Sequence, residues 1–422
     1  MSINTKCKID TSNLIKQLYA TDASIYQIEP LGVAFPKSTE EVCEVLSRAN
    51  EQGTSIIPRG AGTGLAGGAI GKGMVIDVAR YNKKILEFDP VTLSIWVEPG
   101  LILDELNKYL KPHGLWFAAD VATSSRATIG GMIANNSSGA YAMVYGTTAD
   151  HLLELEIVTA NGEVLKIGNS NINQKVQADI DELFKNHDEI IQKYYSNNIN
   201  KHWPGYNLDK YFEHKNLIYL FAGSEGTLGV ITKAKLKLKK LPSQKTLAVI
   251  SFKTVMDAMK STVDILELNP VAIEHIDRPL FEQTKNQNQF KKVREMLKLG
   301  KDEFQSLLLV EFFDEVDEPI EKLKQMNFGL HTVFLDTDED MQQVWNMRKA
   351  GLSLLTAVPD FAKPTPGIED VAIAPYRLPE YVEKLEHLFE TFNLEASFYG
   401  HAGSGLLHVR PVLDLHSKDG IE

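Results

Sequence analysis

Polar and apolar positions in residues 38–53 follow the pattern of an amphipathic helix. Ser38 and Glu41 have the spacing of a capping box, in which the serine side chain caps the first turn and the glutamate reaches back. Apolar residues then recur every three or four positions up to Gly53, a typical C-terminal cap. This pattern predicts one helix over residues 38–53.

The rest of the first 240 residues alternates short β runs with glycine-rich turns. We predict strands at 54–59 and 74–78 around a glycine loop at 60–73, two strands within 85–98 around Asp89-Pro90, a helix at 103–113 ending at Gly114, and a β-rich stretch at 215–238 interrupted by Ala222–Gly229. This mixture predicts an α+β domain of two subdomains over residues 1–240.

The pattern changes after the segment Leu241–Gln244, which is the best boundary candidate. Beyond it we predict strands at 246–252 and 306–313, and helices at 254–268, 317–327, 338–357 and 378–392. Such a series predicts a helix-covered antiparallel sheet over residues 241–422.

Composition excludes several classes of protein. The chain has 422 residues, more than one compact core holds, and a net charge of −12 without a basic run, which argues against nucleic-acid binding. Cys7 and Cys43 are its only cysteines, too few for an iron–sulfur cluster ligated within this chain. We find no transmembrane segment and no signal core, so we expect a cytoplasmic protein, with peripheral association with the inner membrane as the alternative.

The glycine loop contains a G-x-G-x-x-G pattern at Gly62–Gly67. A Rossmann fingerprint would open a helix, whereas here a strand follows, and the spacing around Lys72 does not match a Walker A loop. Two interpretations remain: a nest of backbone N–H groups that binds a phosphate or pyrophosphate, and a flexible hairpin. Further segments of small residues at 125–139, 145–150 and 223–232 favour a long ligand such as a dinucleotide.

Three of these segments resemble the FAD-linked 2-hydroxyacid dehydrogenases: Pro58–Gly68, Ala127–Gly131 and Gly223–Gly229. That family includes D-lactate dehydrogenase, the glycolate oxidase FAD subunit and D-2-hydroxyglutarate dehydrogenase, on the vanillyl-alcohol oxidase fold. The resemblance covers nearly the whole chain. It implies an α+β protein with a p-cresol methylhydroxylase-type FAD-binding domain and an α+β substrate (cap) domain.

The resemblance also implies which residues contact FAD. The expected contacts are Pro58, Arg59, Gly60, Ala61, Gly62, Thr63, Gly64 and Gly67 at the pyrophosphate, then Asp120, Thr128, Gly130, Gly131, Asn135, Ser138 and Gly139, and finally Glu225, Gly226, Gly229 and Ile231. Members with covalent flavin usually present a histidine just after the first glycines, where this chain has Ala61–Thr63. The FAD is therefore expected to be non-covalent.

In the second domain, the resemblance implies a catalytic group consisting of Arg348, Lys363, His401, His408 and Arg410. The cationic residues would hold a substrate carboxylate, and the two histidines would bind a divalent metal such as zinc. His408 and Arg410 share a strand face by alternation. The third metal ligand of the family lies in a Ser-Gly-Glu-His-Gly segment that does not occur here, so we expect the N-terminal part of an FAD/iron–sulfur fusion protein, with any iron–sulfur cluster outside this chain.

We therefore expect FAD-dependent oxidation of a D-lactate-like D-2-hydroxyacid, with a cytochrome, quinone or iron–sulfur domain as electron acceptor. D-2-hydroxyglutarate dehydrogenase is the second hypothesis, although Leu352 and Arg410 replace the hydroxylic and amide residues of members specific for a dicarboxylate. An FAD-dependent alcohol or sugar oxidase is a third, and a non-catalytic flavin-binding protein is a fourth.

Overall fold

The computed structural model describes residues 6–168, 174–195, 199, 205–299, 304–358 and 360–422. Within these ranges, contacts divide the chain into two compact units. One comprises residues 6–139, 145–195 and 205–241, and the other comprises 140–144, 199 and 242–422.

The helices and strands up to residue 241 are β1 Lys8–Asp10, α1 Asn13–Tyr19, β2 Gly32–Phe35, α2 Thr39–Glu51, β3 Ile56–Arg59, β4 Met74–Asp77, β5 Ile85–Asp89, β6 Ser94–Val97, α3 Leu103–Leu110, β7 Leu115–Trp116, α4 Ile129–Ala134, α5 Ala142–Tyr145, β8 Leu152–Val158, β9 Val164–Gly168, α6 Gln174–Phe184, α7 Asp188–Tyr195, α8 Leu208–His214, α9 Ile218–Phe221, β10 Val230–Lys237 and β11 Lys239–Lys240.

The first unit contains two main sheets. One has the order β1-β2-β4-β3, with β4 parallel to both neighbours, and the other is antiparallel with the order β5-β6-β10-β8-β9. Helix α2 buries Val42 and Val45 against Ala34 and Ile76 of the first sheet. The Ser38 side chain accepts from the Glu41 N–H, as the capping box predicts. Helix α2 leads into β3, which the glycine loop joins to β4.

The second unit contains β12 Lys245–Phe252, α10 Val255–Leu266, β13 Ala272–Asp277, α11 Arg278–Glu282, α12 Lys291–Leu297, β14 Ser306–Phe313, α13 Asp317–Met326, β15 His331–Leu335, α14 Asp338–Lys349, α15 Gly351–Thr356, β16 Lys363–Pro364, β17 Ile368–Ala372, α16 Leu378–Thr391, β18 Ala396–His401, β19 Leu406–Leu413 and α17 Lys418–Ile421.

The strands of the second unit form an antiparallel sheet in the order β15-β12-β14-β13-β18-β19-β16, with β17 also pairing with β19. Alternate residues of β13 enter different cores. Ala272 and Ile276 pack on the side of α11, α12, α14 and α15, whereas Ile273 packs on the side of α10, α13 and α16. Because side chains alternate along a strand, Glu274 shares the face of Ala272 and Ile276 and lies towards α14.

The structure corrects two predicted elements. Residues 338–357 form two helices, α14 and α15, which meet at Ala350. Gly351, the first residue of α15, packs so closely on α11 that a Cβ there would lie 2.9 Å from Leu280 Cδ1. The stretch 215–238 is less β-rich than predicted, since Ile218–Phe221 is a short helix and only Val230–Lys237 is a long strand. Strands β13 and β18, which carry the centre of the second sheet, were not predicted.

Candidate functional site

The glycine loop between β3 and β4 presents a run of backbone donors. Within the described part of the chain, none of the N–H groups of residues 60–68 donates a hydrogen bond. Consecutive amides without acceptors and without bulky side chains form a concavity that binds an anion such as a pyrophosphate. This observation favours the nest over the flexible hairpin.

Several more of the predicted cofactor residues surround this loop. A Cβ atom on Gly60 would overlap Thr128 Oγ1, and one on Gly64 would lie 3.4 Å from Asn135 Nδ2. Gly226 has φ +81°, a conformation that favours glycine, and its Cβ would come within 2.9 Å of Pro58 Cγ. The three small-residue segments therefore meet at one place in the first unit.

The middle segment is organised by the short helix α4. Thr128 caps this helix by accepting from the Gly131 N–H at 3.4 Å, and Asn135 follows its last turn. Further along, a Cβ on Gly139 would lie 2.6 Å from Asp120 Oδ1. The backbone at Gly139 therefore packs too closely on Asp120 to leave room for a side chain.

Ser138 provides a separate indication of a ligand. Its hydroxyl oxygen is buried and has no hydrogen-bond partner among the described residues. A buried polar atom is normally satisfied, so this oxygen is available to a polar group of a bound molecule. Together with the free amides of residues 60–68, it shows that the residues present suit a long, polar, anionic cofactor such as FAD.

The Arg59 side chain, predicted to contact the pyrophosphate, donates its hydrogen bonds to backbone carbonyl oxygens instead. Its Nη1 donates to the carbonyl oxygens of Tyr19 at 3.3 Å and Ala69 at 3.1 Å, and its Nη2 donates to that of Thr21 at 2.8 Å. Burial lowers the pKa of this guanidinium from its usual value. The side chain therefore ties the glycine loop to the N-terminal segment.

The third segment leads into strand β10. Glu225 donates its N–H to the Ala134 carbonyl at 2.9 Å, and Ile231 pairs with Ile157 of β8. A Cβ on Gly229 would lie 2.8 Å from the Val158 oxygen, so a larger residue would disturb the pairing there.

In the second unit, the hairpin β18–β19 brings predicted catalytic residues together. Tyr399 pairs with His408 and Ser397 with Arg410. Alternation then places Tyr399, His401, His408 and Arg410 on the sheet face that carries Glu274. The rings of His401 and His408 have centroids 5.6 Å apart.

Glu274 connects this hairpin to helix α14. One of its oxygens, Oε1, lies 2.6 Å from His401 Nδ1, and the other, Oε2, accepts from Arg348 Nε at 2.8 Å and lies 2.7 Å from Nη2. The glutamate side chain is 1% exposed, Arg348 is 7% exposed and His401 is 15% exposed. The histidine is thus the most exposed member of a buried ion-pair network.

The two arginines flank one aromatic ring. The guanidinium carbons of Arg348 and Arg410 lie 5.2 Å and 5.6 Å from the centre of the Tyr399 ring, within the range of cation–π contacts. Lys363 is exposed in β16, where it pairs with Leu413 of β19. The structure therefore gathers four of the five predicted catalytic residues and places Lys363 farther along the sheet.

Sequence reasoning missed Glu274 and Tyr399. A signal for Glu274 does exist, because Glu274, His275 and Asp277 interrupt an apolar β run, and all three are buried in β13. Burial and the nearby Arg348 charge lower the pKa of His275 to about 3, whereas burial raises the pKa of Asp277 to about 6. Charged residues in a central strand are costly to bury and often mark a polar site.

Across the described residues, no group of three or more His, Cys, Asp or Glu side chains is arranged to hold a metal ion. His401 and His408 offer two imidazoles, and Glu274 is engaged with His401 and Arg348. A tight zinc site needs at least three protein ligands, so these residues do not complete one. None of the described helices is long and apolar enough to cross a membrane.

Comparison with known proteins places this geometry in a class. Residues 30–168 match the FAD binding domain, and residues 241–422 match the C-terminal domain of FAD linked oxidases. The fold resembles that of alkyldihydroxyacetonephosphate synthase, with a TM-score of 0.67 at 18% identity over 96% of this chain and 74% of that one. The protein is thus a two-domain, FAD-linked oxidase-type flavoprotein, and the α+β fold prediction is confirmed.

The sequence relatives narrow the class. The chain is 31% identical to D-2-hydroxyglutarate dehydrogenase of Haemophilus influenzae over 96% of this chain and 43% of that protein. It is 29% identical to D-lactate dehydrogenase of Archaeoglobus fulgidus over 90% of this chain and 75% of that one. The chain spans less than half the length of the D-2-hydroxyglutarate dehydrogenases it matches. Together with the two domain matches, these relatives support the resemblance to the FAD-linked 2-hydroxyacid dehydrogenases.

Proposed function

We propose that this protein oxidises a D-2-hydroxyacid to the 2-oxoacid in an FAD-dependent reaction. The observation that carries the proposal is the convergence of Arg348 on α14 with Arg410, His401 and His408 of the β18–β19 hairpin, in which both arginines are buried and both histidines are half-buried. It combines cationic groups for a carboxylate with imidazoles for a proton, as oxidation of a 2-hydroxyacid requires. The FAD binding domain and the named relatives support the same chemistry.

The first unit would hold the cofactor. The N–H groups of residues 60–68 would bind the pyrophosphate, and Thr128, Asn135, Ser138 and Gly139 would line the path of the chain beyond it. No histidine lies at Ala61–Thr63, so we propose that the FAD is held without a covalent bond. When bound, FAD supplies the acceptor for a hydride.

In the second unit, the cationic residues Arg348 and Arg410 would hold the substrate carboxylate, with Lys363 as a further cation at the edge of the sheet. An imidazole of His401 or His408 would take the hydroxyl proton while the α-hydrogen leaves with both electrons as a hydride. The C–O bond thereby becomes a carbonyl, and protons and electrons balance. Burial strengthens each of these charge interactions relative to water.

The hydroxyacid itself is proposed to be D-lactate-like. D-2-hydroxyglutarate is the second candidate, because the relatives at 30–31% identity carry that name. By the resemblance, members specific for a dicarboxylate carry a hydroxylic residue where this chain has Leu352, so we propose the smaller substrate. An alcohol or sugar oxidase would instead show fast reaction of its reduced flavin with oxygen.

The remaining proposals concern partners. We propose an electron acceptor of the cytochrome, quinone or iron–sulfur type. Any iron–sulfur cluster would lie outside this chain. We also propose a cytoplasmic location, with peripheral membrane association as the alternative. A divalent metal at His401 and His408 also stays a proposal, and the proton and hydride transfers above are written without it. Because His401 and His408 supply only two ligands, this chain should bind metal weakly. Metal analysis of the purified protein would measure this.

The test of the function is flavin bleaching under anaerobic conditions with a panel of D- and L-2-hydroxyacids. We expect bleaching by D-lactate or another short D-hydroxyacid and none by the L-isomers. Bleaching by D-2-hydroxyglutarate alone would select the second candidate, and bleaching by no 2-hydroxyacid would contradict the proposed function.

A further inference from the structure

We propose that Arg59 is a positioning residue for the cofactor, because it fastens residues 19–28 to the carbonyl side of the glycine loop. This contact directs the N–H groups of residues 60–68 towards the FAD pyrophosphate. We call residues 19–28 the N-terminal strap. The match to the FAD binding domain begins at residue 30, so the strap lies outside it. The proposal deepens the proposed function and rests on it, since it assigns FAD to this loop.

The N-terminal strap is a loop that follows helix α1 and closes on itself. Ile28 donates its N–H to the carbonyl oxygen of Ala20 at 2.8 Å. Tyr19, the last residue of α1, is attached to the first sheet, because its hydroxyl donates to Asp77 Oδ2 of β4 at 2.5 Å. The strap therefore starts from a fixed point on the sheet.

Arg59 joins the strap to the glycine loop from the end of β3. Its Nη2 donates to the oxygen of Thr21 at 2.8 Å, and its Nη1 donates to those of Tyr19 at 3.3 Å and Ala69 at 3.1 Å. The guanidinium lies 5.1 Å from the centre of the Tyr19 ring. It also packs so closely on Gly62 that a Cβ there would come within 2.9 Å of Nη2. One half-buried side chain thus holds the strap and the loop together.

The strap contacts two carbonyl oxygens of the loop. Ala23 donates its N–H to the Gly62 oxygen at 3.0 Å, and Arg59 donates to the Ala69 oxygen. In a trans peptide the C=O and the N–H point in opposite directions, so the contact from Ala23 turns the N–H of Thr63 away from the strap. An anion is therefore expected on the side of the loop opposite the strap.

Asp22 allows this role to be separated from simple charge attraction. Its Oδ1 accepts from the Ser24 N–H at 2.9 Å, and its Oδ2 accepts from the Ala69 N–H at 3.4 Å. Because the carboxylate is negative and contacts a loop that binds an anion, charge alone predicts that Asp22→Ala tightens FAD binding. The strap predicts the reverse, since this change releases both N–H groups and loosens the loop.

The first readout is hydrogen–deuterium exchange of the apoprotein over residues 19–28, measured by mass spectrometry. Arg59→Lys keeps the charge but replaces two donor nitrogens by one, so we expect exchange at least about 10-fold faster than in the wild type. Arg80→Lys is the matched control, because Arg80 is exposed just after β4 and its guanidinium lies 4.7 Å from the centre of the Phe35 ring. It should exchange like the wild type. Unchanged exchange in Arg59→Lys would overturn the proposal and is the result expected of a residue that contacts only phosphate.

The second readout is the Kd for FAD, measured by titration of each apoprotein well below its Tm so that only folded protein is compared. We expect the Kd to rise about 10- to 150-fold in Arg59→Lys, the size of one lost hydrogen bond to a charged group, and at least about 3-fold in Asp22→Ala. Arg80→Lys should stay within about 2-fold of the wild type.

Unchanged or tighter FAD binding in Asp22→Ala would overturn the proposal. A wild-type Kd in Arg59→Lys together with a lowered Tm would also overturn it, because Arg59 would then only stabilise the fold. If the wild type binds no FAD, the proposed cofactor fails, and the exchange of the apoprotein alone decides whether Arg59 holds the strap.

Discussion

Gly64 allows the cofactor contact to be tested separately from the fold. Its φ is not among the positive values, and a Cβ there would meet only Asn135 Nδ2, at the ordinary contact distance of 3.4 Å. Gly64→Ala and Gly64→Asp should therefore leave the apoprotein fold intact. Both should weaken FAD binding, because the added atoms lie among the free N–H groups of residues 60–68.

The size of the effect follows from sterics and charge. An extra methyl group in a close contact costs about 1–3 kcal/mol, which is roughly 5- to 150-fold in Kd. A carboxylate about 5 Å from a phosphate charge adds about 3 kcal/mol at an effective dielectric constant of about 20. Gly64→Asp should therefore raise the Kd for FAD by more than about 1000-fold.

The assay is titration of apoprotein with FAD, followed by quenching of flavin fluorescence, with thermal unfolding of each apoprotein measured in parallel. Gly367→Ala is the control, because a Cβ there meets nothing within 4 Å and its φ is not positive. It should change neither the Kd nor the Tm. Wild-type FAD affinity in Gly64→Asp would refute the pyrophosphate nest, and a lowered apoprotein Tm in Gly64→Ala would refute the claim that the fold tolerates this position.

Three further predictions concern the second unit. Arg348→Lys replaces a planar guanidinium, which donates from Nε to Glu274, by a point charge, and it should lower kcat/KM about 10- to 150-fold, or about 1.5–3 kcal/mol, in steady-state assays through loss of the proposed contact with the substrate carboxylate. Unchanged kinetics would move the carboxylate role to Arg410. Arg348→Met leaves Glu274 buried without its cation and should cost about 3–5 kcal/mol in urea unfolding, whereas a loss below about 1 kcal/mol would show that the pair is not needed for stability. Burial lowers the pKa of His275 to about 3. Between about pH 6.5 and pH 3 the unfolded chain therefore binds a proton at this histidine that the folded chain does not. The free energy of unfolding should fall over this range by up to about 1.4 kcal/mol per pH unit as the pH is lowered. His275→Asn should show a shallower dependence over that range, and equal slopes would contradict this reasoning.

Local signals in the sequence predicted much of the fold. The capping box at Ser38 and Glu41 depends only on neighbouring residues, and it forms helix α2 as predicted. The alternation that places His408 and Arg410 on one face is a property of any strand, and β19 shows it. Glycine at a tight turn is also a local requirement, as the φ of +81° at Gly226 illustrates. The segments that carry the family resemblance, Pro58–Gly68, Ala127–Gly131 and Gly223–Gly229, are also short and local.

The contacts between distant segments were decided only by the tertiary structure. The pairing of β13 with β18 aligns His275 with Gly400, and nothing near either residue in the sequence indicates this register. This register brings Glu274 to His401, and the packing of α14 on the sheet brings Arg348 to the same carboxylate. An arginine predicted to hold the substrate carboxylate is therefore also the partner of a buried glutamate. Such a contact forms only when the sheet and the helix have packed. Burial then makes an unpaired charge costly, so the charged side chains are stable there only as partners of one another.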